Sequence, residues 1–148
     1  EFASTAAAFA GLPPEEREEL ESLRAVHSVT RSLSPLIDGL TEEEKSKLVV
    51  GSVNTHPIVW KHKSGKKSMV IGSHADHVVG QPLAHGRALL MRLIEWSAQP
   101  DYSYRHYWQV GDFVIWDNTS AMHRVVPYDA NSGRTMHRTS LAGYESVS

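Results

Sequence analysis

At 148 residues and 41% hydrophobic content, the chain has the size of one domain and enough apolar material for a real core. A net charge of −2 and a pI near 6.5 exclude the basic excess of a general nucleic-acid surface, and no apolar run approaches the roughly 18 residues of a membrane span. The absence of cysteine excludes disulfides and thiolate metal sites and fits the cytosol, so any metal must be held by His, Asp or Glu.

The chain opens at "EFASTAAAFAGLPPEE" without an initiator methionine, a beginning expected of a fragment or a processed product. Residues 2–10 are small and apolar and read as a short helix that Gly11 and Pro13 end. Pro14 suits the first turn of a second helix, "PPEEREELESLRAVH", whose early glutamates complement its dipole and form a solvated face. "HSVTRSLSPL" is extended and turn-rich. In "LTEEEKSKLVV", Thr41 with Glu44 three residues on forms a capping box. "HPIVWKH" and "KSMVIGSH" read as a hairpin turned at Gly65, with His56 and His62 at its surface. "PLAHGRALLMRLIEWSAQ" is an amphipathic helix with His85 exposed. The last third reads as short strands separated by "GD", "DNTS" and "DANSG", a spacing that suggests a barrel or jelly roll.

Two places carry candidate chemistry. In "GSHADHVVG", His74 and Asp76 form a His-x-Asp triplet, and His123 follows in "WDNTSAMHRVV". Two histidines and one carboxylate can form a facial triad for iron. A turn or pocket wall, or an inert exposed stretch, also explains the triplet. Further on, Arg134 and Arg138 are four residues apart and share a face if they lie on one strand. Such forks bind carboxylates bidentately, though two surface salt bridges account for them equally well. His106 in "YRHYW" is expected to pack or hydrogen-bond, His27 is a weaker pocket candidate, and His77 and His137 are weaker still.

"WQVGDFVIWDNTSAMHR", "PYD" and "RTMHRTSLAG" resemble the C-terminal core of the taurine/2,4-dichlorophenoxyacetate dioxygenase family, the phenoxyacetate branch above all. The likeness extends back through "HPIVWKHKSGKKSMVIGSHADHVVG" to the opening "EFAS". The resemblance implies an α+β fold with a mainly β core, the C-terminal part of a double-stranded β-helix (jelly roll) with flanking helices. It implies Fe(II), 2-oxoglutarate as cosubstrate and O2, with hydroxylation of a small anionic substrate such as a phenoxyalkanoate and release of succinate, a chemistry of herbicide degradation. His123 then matches the distal iron-binding histidine, Arg134 the arginine on the distal carboxylate of 2-oxoglutarate, and Arg138 the arginine near the substrate anion. Trp116 to Asn118 match a signature read as structural, with Trp116 packing and Asp117 and Asn118 forming the turn that aims His123.

The family's own His-x-Asp and a cosubstrate threonine precede the stretch resembling "EFAS". On this reading residues 1–148 are a single partial domain, the C-terminal portion of the catalytic domain, inactive alone. The stretch matching "SMVIGSHADHVVG" then lies too late to supply the iron triplet, which leaves His74 and Asp76 as alternative ligands only. The expected whole is a cytoplasmic enzyme with a small anionic substrate, no nucleic-acid or membrane partner, and an oligomer possible. The alternative is a non-catalytic jelly-roll module that binds a small organic acid through Arg134 and Arg138. A zinc hydrolase lacks its H-E-x-x-H helix motif in this sequence.

Overall fold

The computed structural model describes residues 1–28, 41, 43 and 53–147. The extended reading of "HSVTRSLSPL" beyond Ser28 and the Thr41–Glu44 capping box lie outside the described residues.

Strand β1 (Phe2–Ser4) leads directly into helix α1 (Thr5–Ala10), followed by α2 (Pro14–Ser22) and β2 (Arg24–His27). After the segment not described come β3 (Asn54–Pro57), β4 (Val59–Lys61), β5 (Lys67–Met69) and β6 (Ala75–Val78). The long helix α3 (Leu83–Ser97), a single 3-10 turn (Pro100–Tyr102), β7 (Ser103–Tyr104) and β8 (Ala121–His123) complete the order. Among the described residues all pairing is antiparallel, in three small sheets ordered β7-β1-β8, β3-β2-β6 and β4-β5.

Local chemistry explains several of these elements. The Ser4 hydroxyl accepts the Ala7 N–H at 3.1 Å and caps α1. Pro14 opens α2 with Glu15 and Glu16 in the first turn, at the positive end of its dipole. Gly65, at φ +84°, makes the β4–β5 turn at no steric cost. In α3 the buried Gly86, Leu90, Leu93 and Ser97 form one stripe at helical spacing. That stripe packs over β6 into a core built from Ala8, Phe9, Leu12, Leu20, Ile58, Val59, Met69, Ile71 and Val78. Trp96 ties α3 to α1 by donating its indole N–H to the Ala8 carbonyl at 2.9 Å.

Three expectations need correction. Residues 2–4 are a strand, because pairing on both edges of β1 supplies hydrogen bonds that a first helical turn would leave unmade. The second helix stops at Ser22, and Arg24–His27 turns extended with Ala25 and His27 buried on one face. In the last third, only Ser103–Tyr104 and Ala121–His123 form strands among the described residues. Strands need a neighbouring edge, and β1 has already given both of its edges to β7 and β8. The strand-forming side chains Val110, Phe113, Ile115, Val125 and Leu141 are therefore exposed.

A Cβ on Gly86 would lie 2.7 Å from the Val78 backbone nitrogen. Gly86→Ala is expected to destabilise the chain by about 1–3 kcal/mol net despite alanine's better helix propensity. Urea unfolding checks this, and an unchanged or raised midpoint would contradict the close packing of α3 on β6.

Candidate active site

His123 ends β8, where it stands opposite Phe2 in the ladder to β1. The turn before it is set by Asp117, whose carboxylate accepts the Thr119 N–H at 2.9 Å and the Thr119 and Ser120 hydroxyls at 2.7 and 2.9 Å. Asp117 is half exposed; its partial desolvation raises the pKa, but these bonds and one from Lys66 outweigh it and hold the carboxyl well below the usual carboxylate range. Asp117 thus organises the turn as expected. Trp116 packs its ring 5.1 Å from those of both Phe2 and His123.

The His123 Nε2 atom is 3.5 Å from Arg138 Nη1. A guanidinium has only donors, so the facing nitrogen presents a lone pair and the ring proton belongs on Nδ1. Partial desolvation first, then the Arg138 charge, push the His123 pKa down. The ring is therefore held neutral with its Nε2 lone pair turned to Arg138; neutral imidazole is the form that ligates metals, once that contact is released. Arg138 also lies over the Trp116 ring at 5.9 Å.

His123 and Arg138 share the wall of a cavity of about 720 Å³ with His74, Trp60, Thr119 and Met122. Arg134 is not on that wall; its guanidinium stacks on Tyr128 at 4.7 Å and Trp108 at 6.0 Å. Neither Arg134 nor Arg138 forms an ion pair with a carboxylate among the described residues, and neither lies on a strand there. The surface salt-bridge account of the pair therefore finds no support among those residues.

The His-x-Asp triplet is split by its surroundings. Asp76 accepts from Arg87 at 2.6 Å and meets His77 at 2.9 Å. His74 reaches the cavity, and its Nδ1 lies 2.9 Å from His27 Nδ1. No three His, Asp or Glu side chains converge to hold a metal among the described residues, so His74, Asp76 and His123 do not form a triad there.

His27 is buried beside His74 and His56, and its Nε2 has no partner among the described residues. Burial, with His74 and His56 adding to it, lowers its pKa from 6.5 to about 4. His106, as expected, is hydrogen-bonded, at 2.8 Å to Asp112. His62 is not at the surface: it is buried, stacked on Trp60 at 4.5 Å and bonded to Ser68 at 2.8 Å. The two-residue step from Trp60 puts His62 on the same strand face, a signal present in the sequence.

Antiparallel sheets with few helices thus hold, on one cavity wall, a histidine and a guanidinium that has no carboxylate partner among the described residues. Residues 1–140 match the family described as "Taurine catabolism dioxygenase TauD, TfdA family", and the chain belongs to it. The chain is 40% identical over 144 residues to the alpha-ketoglutarate-dependent 2,4-dichlorophenoxyacetate dioxygenase of Burkholderia sp. (strain RASC), covering 97% of this chain and 48% of that protein. It is 36% identical to the (S)-phenoxypropionate/alpha-ketoglutarate-dioxygenase of Sphingobium herbicidovorans, over 96% of this chain and 51% of the relative. The crystal structure of AAD-2 in complex with Mn(II) and N-oxalylglycine superposes with a TM-score of 0.76 at 35% identity, over 86% of this chain and 50% of that one. The chain spans about half the length of the curated relatives it matches.

The His27 shift makes stability depend on pH with a definite sign. Its folded pKa is depressed, so the unfolded state binds the proton first as pH falls, and stability is lost between about pH 6.5 and 4 and complete above. Urea unfolding is expected to show a loss of up to about 3 kcal/mol across that window. A flat profile there would contradict a neutral buried His27.

Proposed function

We propose that the chain is the part of an Fe(II)- and 2-oxoglutarate-dependent dioxygenase that carries one metal ligand and two anion-binding arginines. The observation that carries this reading is the meeting of His123 Nε2 with Arg138 on the cavity wall. Family membership and the printed activities of the phenoxyalkanoate-acting relatives support it. The small antiparallel sheets are read as portions of a double-stranded β-helix. The enzyme is read as cytoplasmic, in keeping with the absence of cysteine from this chain. Among the described residues no helix is long and apolar enough to cross a membrane.

A neutral imidazole with an available lone pair fits an Fe(II) ligand, and His123 is the residue that would supply it. The other ligands then lie outside the group of described residues, and His74 and Asp76 stand only as alternatives. When bound, the metal with 2-oxoglutarate and O2 supplies the oxidising power: 2-oxoglutarate loses carbon dioxide to give succinate, and one oxygen atom enters a substrate C–H bond. Arg138 offers its fork to the substrate's anionic group, a carboxylate of the phenoxyalkanoate kind. Arg134 is assigned to the distal carboxylate of 2-oxoglutarate; the "RTMHRTSLAG" match supports this, as does the lack of a carboxylate partner for Arg134 among the described residues. Phe2 and Trp116 flank the His123 ring on one side of the site. Taken alone, the described residues bring no three ligands together, so a chain of only these residues would bind a small acid without turnover.

The test is succinate release in the protein that carries this chain, supplied with a phenoxyacetate. Release is expected to need both Fe(II) and 2-oxoglutarate, and release without them would refute the dioxygenase reading. Arg138→Ala is expected to weaken substrate binding roughly 10- to 100-fold, and Arg134→Ala to weaken 2-oxoglutarate binding by a similar factor. Equal losses of both ligands in either variant would contradict the division of roles.

A further inference from the structure

The turn before His123 is held from outside its own strand. Ser68, fully buried on β5, has its Oγ 2.7 Å from the Thr119 carbonyl oxygen and 2.8 Å from His62 Nε2. A carbonyl only accepts, and a hydroxyl has one proton. Ser68 must therefore donate to Thr119 and accept from His62 Nε2–H. On the other side of the ring, His62 Nδ1 lies 3.5 Å from the Glu145 carboxylate, an ion pair when the ring carries both protons. Glu145 also accepts from the Lys63 backbone N–H at 3.4 Å. A hydrogen-bonded path thus runs from His62 through the β4–β5 hairpin to the turn four residues before His123, and the C-terminal tail joins it through Glu145 when the ring carries both protons.

The path has a second support and a second contact with the cavity. Lys66, in the same hairpin, reaches Asp117 at 3.3 Å and the Ser120 hydroxyl at 3.0 Å. Trp60, stacked on His62, lines the cavity, as does Thr119. Buried polar links of this kind define a single arrangement, because any other register leaves a desolvated donor or acceptor without its bond.

We propose that Glu145, His62 and Ser68 form a positioning relay that sets the Asp117–Ser120 turn, and through it the direction in which His123 faces the cavity. None of the three touches the cavity's contents in this role; each acts through Thr119. The inference rests on the reading of His123 as a site residue, and it assigns the control of that residue to a hairpin and a tail distant from it in sequence.

The test uses the protein that carries this chain, labelled with 15N and read by histidine-ring spectra and amide hydrogen exchange. Wild-type chain is expected to show a protected His62 Nε2–H. Ser68→Ala should abolish that signal, displace the His123 ring signals and speed exchange of the amides from Ser120 to His123 by about tenfold, with α3 amides unchanged. Glu145→Gln opens no hole in the core and should act in the same sense by about threefold. Loss of thermal stability with His123 ring signals and Ser120–His123 exchange at wild-type values would overturn the relay, as would a Glu145→Gln chain indistinguishable from wild type. Added Mn(II) separates this inference from the metal reading. His123 ring signals that Mn(II) fails to broaden, with the exchange response intact, would uphold the relay and count against His123 as a ligand.

Discussion

Strand β1 has two edges, and the arrangement of the site follows from how both are used. One edge takes Ser103–Tyr104 and the other takes Ala121–His123, in a register that sets Phe2 opposite His123. Three residues near the start of the chain thereby fix the strand that carries the candidate ligand. The same pairing delivers Ser4 to cap α1, whose Ala8 and Phe9 join the core. A register slip of one residue would reverse the faces of β8 and turn His123 away from the cavity. It would also break the short ladder hydrogen bonds that replaced the expected first helical turn.

Electrostatics then give the site its character. His123 keeps an exposed face, yet its partial desolvation and the cation it faces both press its pKa down. Arg138 pays for its place on the cavity wall without a carboxylate partner among the described residues, which leaves its fork open to an anion. Asp117 presents the opposite case: its partial desolvation is outweighed by the four hydrogen bonds it accepts, so its charge serves the turn rather than the cavity. The sites of the two arginines also differ. Arg138 borders the cavity, whereas Arg134 stacks between Tyr128 and Trp108, so their even spacing in the sequence does not translate into a shared face.

Elements governed by local chemistry were legible in the sequence. The stripe of Leu90 and Leu93, the turn at Gly65, the proline-led second helix and the Asp117 turn all follow from periodicity or from one residue's stereochemistry. Elements governed by distant partners were not. Phe2–Ser4 and Arg24–His27 are extended because of strands far along the chain, and no local pattern records those pairings. The last third has the composition of strands, yet Phe113 and Ile115 lack a neighbouring edge among the described residues. In the site, motif resemblance singled out His123 and Arg138, which the fold brings together. It had no means of finding the buried His62–Ser68 pair, since hydrogen bonding across a hairpin depends on register. The His-x-Asp triplet shows the reverse: its spacing suits a metal, but Asp76 is bonded to Arg87 and His77.

The central claim is that His123 is a metal ligand on the wall of an anion-binding cavity. Electron paramagnetic resonance of Cu(II) bound to the protein that carries this chain, with histidine labelled by 15N, tests it most directly. The account predicts that His123→Ala removes the hyperfine coupling of one directly bound imidazole nitrogen and leaves the remaining pattern in place. An identical nitrogen pattern in wild type and His123→Ala would contradict it.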